Sequence, residues 1–110
     1  MIFVSILGLM AIVSVVVAFD PLNNTSIQVA VYDWLTNKTE ALATWGNISN
    51  WDTKDVTDMS LLFSSYRANY FNDFIGTWDV SNVLDFSYMF YGYGAISFNN
   101  DLSGWNTSGK

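Results

Sequence analysis

Trp51-Asp52-Thr53-Lys54-Asp55-Val56-Thr57-Asp58-Met59-Ser60-Leu61-Leu62-Phe63 is answered by Trp78-Asp79-Val80-Ser81-Asn82-Val83-Leu84-Asp85-Phe86-Ser87-Tyr88-Met89-Phe90, and Trp105 opens the pattern again. The three tryptophans recur every 27 residues, and laying 51–77 on 78–104 without a gap gives ten identities. These are Trp51/Trp78, Asp52/Asp79, Val56/Val83, Asp58/Asp85, Ser60/Ser87, Phe63/Phe90, Tyr66/Tyr93, Ala68/Ala95, Phe71/Phe98 and Asn72/Asn99. A fixed period of this kind marks a repeat array; helix-hairpin repeats run to about 33–47 residues, leucine-rich-repeat-like units to roughly 20–29. The predicted fold class is therefore an α/β solenoid of leucine-rich-repeat-like coils with period 27 and a helical N-terminal cap. Each coil would bury against its neighbour what it cannot bury alone.

Within one unit, residues 56–59 and 83–86 alternate in polarity and are predicted to form a short strand. Ser60 and Ser87 then stand where an N-cap would open a helical turn over 61–63 and 88–90. Equivalent side chains of successive coils lie over one another, so Trp51, Trp78 and Trp105 are predicted to form one column. Phe63/Phe90 and Phe71/Phe98 would form two more, and Asn72/Asn99 an inward polar one serving the backbone of a buried turn.

The segment ahead of the first repeat reads as helix. Ile27, Ala30, Val31, Trp34 and Leu35 fall on one face, with Thr25 or Ser26 as N-cap and Asn37 at the stop. Thr39 is placed to cap a second helix over 40–44, ended by Gly46. The expected organisation is a signal peptide at 1–18, a helical cap at 19–50, and two repeats plus the start of a third at 51–110. Residues 2–19 are apolar apart from Ser5, Gly8 and Ser14, and end in a Val-Val-Ala run suited to cleavage after Ala18. A run of this length also suits an uncleaved signal anchor. Both readings export the remainder, and the anchor is the only membrane attachment expected. Stopping just inside a third repeat, the chain also reads as a piece of a longer array, or as one that pairs through that end.

Composition excludes much chemistry. Cys and His are both absent, which removes disulfides, thiolate nucleophiles, the commonest transition-metal ligands and the usual general base. Four basic residues, Lys38, Lys54, Arg67 and Lys110, are scattered among ten acidic ones, so no phosphate-binding stripe forms and nucleic acid is not expected. Aromatic residues make up 17% of the chain against 13% charged, so rings must be packed or displayed. A carboxylate pair could in principle run glycoside hydrolysis, but Asp52/Asp79 and Asp58/Asp85 recur with the repeat as scaffold residues do. Asp52, Asp55, Asp58, Asp79 and Asp85 offer hard oxygen ligands for calcium, yet no known calcium loop is present and turn capping is the plainer use. No enzyme activity and no cofactor are expected.

The repeat residues quoted above, with Ala95, Phe98-Asn99 and Asp101-Leu102-Ser103-Gly104-Trp105, resemble the BspA-type leucine-rich-repeat surface proteins. Residues 25–50 resemble the helical lead-in before the first repeat of many members. Here both repeats carry extra residues around Tyr66-Arg67 and Tyr93-Gly94, and Leu84, Phe86, Lys54-Asp55 and Phe74 depart from the family pattern. The resemblance implies a surface location and, for some members, binding to host or matrix proteins.

The expected function is thus a secreted or cell-surface repeat protein that is non-catalytic and mediates protein-protein interaction or adhesion. Tyr66, Tyr91 and Tyr93, near the inserted residues, are the candidate partner-facing side chains, with Tyr70 and Tyr88 beside them. The same aromatics would suit a carbohydrate-binding module, so the partner is a protein or a glycan. Asn23, Asn24, Asn37, Asn47 and Asn106 lie in Asn-x-Ser/Thr triplets and are candidate glycosylation sites of an exported protein.

Overall fold

A computed structural model describes residues 19–108; the signal or anchor segment assigned to 1–18 lies outside them. Two helices lead. α1 (Asn24–Thr36) opens at Asn23, whose Oδ1 accepts the N–H groups of Thr25 and Ser26, while the Asn23 N–H donates to Ser26 Oγ. This reciprocal cap satisfies donors that no helical carbonyl can reach, and it puts the N-cap at Asn23, ahead of the Thr25 or Ser26 that the sequence suggested. Ile27, Ala30, Val31 and Trp34 form the buried face. Asn37 ends α1 by donating its N–H to the Asp33 carbonyl, and opens α2 (Lys38–Trp45) by accepting the Glu40 N–H on Oδ1. Gly46, at φ 78°, closes α2 in the left-handed region that glycine adopts without strain. Trp45 Nε1 donates to Asp33 Oδ2 at 2.8 Å, tying α2 back onto α1.

The two repeats lie against this hairpin and against each other. Met59, Leu61 and Phe63 donate their N–H groups to the carbonyls of Asp85, Ser87 and Met89, and Leu84 donates to Thr57. Trp51 and Trp78 stack at 5.9 Å and Trp78 and Trp105 at 6.5 Å, while Trp34 of α1 meets Trp51 edge-on at 5.9 Å. Each buried or half-buried indole N–H is used: Trp78 donates to the Ile48 carbonyl and Trp105 to that of Ile75. Phe63, Phe71, Phe90 and Phe98 form a second cluster with centroids 4.2 to 5.6 Å apart. Such ring pairs contribute about 0.5–1.5 kcal/mol each beyond their area. Gly94 is buried where a Cβ would sit 2.0 Å from the Phe63 carbonyl oxygen, so the second repeat can approach the first this closely only with glycine there.

The α/β solenoid of leucine-rich-repeat type is not formed. Regular structure among the described residues is helical: α1, α2, a short α3 (Gly94–Ser97), and 3₁₀ turns at Ile48–Asn50 and Tyr66–Ala68. The β feature that stands in place of the expected strands is one isolated parallel bridge, Asp58 to Asp85. The reason is local. Asp58 and Asp85 bend the chain by accepting the N–H groups of Ser60 and Ser87, and the next residues, Leu61 and Tyr88, are left-handed at φ 59° and 55°. No pleated strand continues through such a kink, and no right-handed helix opens from it, so Ser60 and Ser87 are not N-caps.

Candidate interaction surface

The acidic residues do not assemble a site. Asp52, Asp58, Asp79, Asp85 and Asp101 each accept, on Oδ1, the N–H of the residue two positions on, in five separate turns. Hydrogen bonds from the Ser81 hydroxyl and N–H hold the Asp79 carboxyl below its ordinary range, and Ser87 does the same for Asp85. Asp101 is lowered chiefly by the Ser103 N–H. Asp55 is exposed and outside these turns. Among the described residues no three acidic side chains converge where a cation could sit.

The same turn explains part of the Asn-x-Ser/Thr pattern. Asn47 and Asn106 accept the N–H groups of Ser49 and Ser108 as the aspartates do, while Asn23 and Asn37 are helix caps. Asn24 does something the sequence did not suggest. Its Oδ1 accepts the N–H groups of Thr57 and Asp58, and its Nδ2 donates to Thr57 Oγ1 at 2.9 Å. Thr57 is the equivalent of Leu84, whose N–H reaches back to the Thr57 carbonyl; the Asn24 amide therefore replaces the carbonyl of a preceding repeat. All five asparagines are exposed.

The repeat-defining residues divide by depth. Trp51, Val56, Phe63, Phe71, Trp78 and Val83 are buried, and Phe90, Phe98 and Trp105 half-buried against them. Asn72 and Asn99 are exposed, not inward; Asn72 Oδ1 accepts the Asn99 N–H and so joins the two repeats at the surface.

Among these exposed polar residues stand large apolar ones. Tyr66, Tyr70, Tyr88, Tyr91 and Tyr93 are each more than half exposed, and so are Leu61, Leu84 and Ile96. Tyr88 meets Tyr91 edge-on at 5.5 Å. Leu61 and Tyr88 occupy one repeat position, Tyr66 and Tyr93 another, and the Leu61 N–H bond to the Ser87 carbonyl sets Leu61 alongside the Tyr88 segment. The left-handed backbone at Leu61 and Tyr88 is rare for bulky residues and turns both side chains away from the core. Among the contributors to the surface that the sequence reading did not single out are Leu61, placed there in a helical turn over 61–63, and Tyr32 and Arg67. Tyr32 was discoverable, because it lies off the apolar stripe of α1; Arg67 occurs in one repeat only and carried no periodic signal.

The family model of the Mycoplasma proteins of unknown function, DUF285, matches residues 23–109. The chain belongs to the DUF285 family. The match begins at the α1 N-cap and runs through both repeats, so in this DUF285 chain it spans the helical hairpin and the stacked tryptophans. No curated protein and no solved structure matches it.

Proposed function

We propose that this DUF285 chain is an exported, non-catalytic interaction module of the BspA-type surface-protein kind, holding a protein partner on its exposed aromatic face. The observation that carries this reading is the set of side chains at Leu61, Tyr66, Tyr88, Tyr91 and Tyr93, each more than half exposed while all five tryptophans and the stacked phenylalanines are buried or half-buried. Large apolar side chains left in water mark contact sites when they gather, as Tyr88 and Tyr91 do, and tyrosine brings large rigid area with a polar tip. Export rests on the apolar segment at 2–19 and the Asn-x-Ser/Thr triplets. The test is surface plasmon resonance of the full chain over a panel of immobilised matrix proteins, beside a Tyr88→Ser, Tyr91→Ser, Tyr93→Ser variant. The variant is expected to lose at least about tenfold in affinity with an unchanged circular dichroism spectrum. Equal binding by both proteins, or binding by neither, rejects the reading.

A further inference from the structure

A second feature lies beside Leu61 and Tyr66 of that set, between α1 and the first repeat. The Arg67 guanidinium stands over two rings, 5.1 Å from the Tyr32 centroid and 4.6 Å from that of Tyr66. No side-chain hydrogen bond or ion pair to a described residue engages it; Lys38 takes Asp73 and Lys54 takes Asp52. Asp73, the acid nearest in the adjoining groove, is already occupied by Lys38 and by the Trp34 N–H. Lys38, Arg67 and Asp73 therefore leave one positive charge over, in a chain of net charge −6.

Arg67 lines a groove of about 220 Å³ with Gln28, Tyr32, Leu35, Ser64 and Ser65. Ser65 Oγ accepts the Arg67 N–H and keeps its own proton free to donate; Ser64 donates to the Leu61 carbonyl and keeps lone pairs free. The Gln28 amide has no partner among the described residues. An apolar floor, an aromatic ring, three neutral polar groups with spare capacity and one stacked guanidinium make a specific combination. The rings hold the guanidinium plane, so its donor edge is preorganised for a planar carboxylate. The volume is under the roughly 300 Å³ at which pockets for drug-sized ligands begin, so it suits a single substituted ring. An extended acidic peptide would want a free strand edge, and no strand is present among the described residues.

The geometry points to a binding site for a carboxylate-bearing sugar, a uronic-acid-type unit whose carboxylate pairs with Arg67 and whose hydroxyls meet Gln28, Ser64 and Ser65. This site borders the protein-contact face proposed above, sharing Leu61 and Tyr66 with it, while Tyr91 lines neither the groove nor the Arg67 stack. To test it, the ¹⁵N-labelled full chain is titrated with sodium glucuronate, and separately with glucose and with acetate, following the Arg67 Nε–H resonance. Glucuronate is expected to move that resonance saturably and to bind at least about tenfold more tightly than glucose or acetate. Arg67→Lys, which keeps the charge and loses the fork, is expected to weaken binding about fivefold or more, and Arg67→Gln to abolish it. Tyr91→Ala is expected to bind glucuronate as the parent does, so loss of the tyrosine face and loss of this site are read separately. Equal binding of acetate and glucuronate would overturn the assignment, as would tighter binding of a glutamate-containing peptide. So would undiminished binding by Arg67→Lys, whose folding is checked by its melting curve.

Discussion

Leu61 and Tyr88 combine an unfavourable backbone with an exposed side chain. Left-handed backbone costs a bulky L-residue roughly 1–2 kcal/mol, and both residues leave more than half their area in water, so little burial offsets that cost. Asparagine tolerates the conformation far better. Leu61→Asn and Tyr88→Asn are therefore expected to stabilise the fold by about 0.5–1 kcal/mol each, seen as a raised urea midpoint, while weakening partner binding. Leu84→Asn is the control, since Leu84 is still more exposed but has no left-handed backbone; it should bring no gain. A loss of stability at Leu61 and Tyr88 equal to that at Leu84 would refute the strain argument. This pairing of stability gained with binding lost is the usual mark of a functional position.

At the scale of elements, α1 covers the first repeat, held by Trp34 against Trp51 and Asp73 and, at its N-terminal end, by Asn24. The amide accepts two backbone N–H groups and donates to Thr57 Oγ1, replacing what one repeat supplies to the next. Asn24→Ala leaves the Thr57 and Asp58 donors without that acceptor and is expected to cost about 2 kcal/mol. Asn24→Asp keeps the acceptor and loses only the donor, and should cost less than half as much, read from thermal melts followed by tryptophan fluorescence. Equal losses would mean that the backbone bonds do not carry the cap. α1 could be read from Ile27, Ala30, Val31, Trp34 and Leu35, because burial on one face imposes a period on the sequence, and the end of α2 from Gly46. The strands were misread for an equally physical reason. Alternating polarity at 56–59 reports only which side chains point inward, and here a chain of turns meets that requirement as well as a pleat does. Asp-x-Ser is the signature of those turns, and the serine was mistaken for the capping residue when the aspartate is the acceptor.

Over the whole molecule, the period of 27 made the tryptophan and phenylalanine stacks legible, because rings that sit over one another must share a phase. Arg67 had no such phase: its equivalent is Gly94, buried against Phe63, so the groove exists only where the first repeat meets α1. The recurrent aspartates, in contrast, act together and give the fold a pH dependence. Asp79, Asp85 and Asp101 are held below their ordinary values by hydrogen bonds to the charged form. The unfolded chain therefore takes up protons first as the pH drops, and stability present above the ordinary aspartate value near pH 3.9 is lost as the pH falls through the lower folded values. The urea midpoint should hold level from about pH 7 to pH 5 and decline below about pH 4. Asp79→Asn, Asp85→Asn and Asp101→Asn together preserve each turn, as Asn47 and Asn106 do already, but remove the titrating groups. Made in a host that does not glycosylate asparagine, since each change creates a new Asn-x-Ser triplet, the triple variant should decline less steeply below about pH 4 than the parent. An unchanged slope would show that the acid transition belongs to other carboxylates, and that the turns stabilise the repeats through geometry without help from charge.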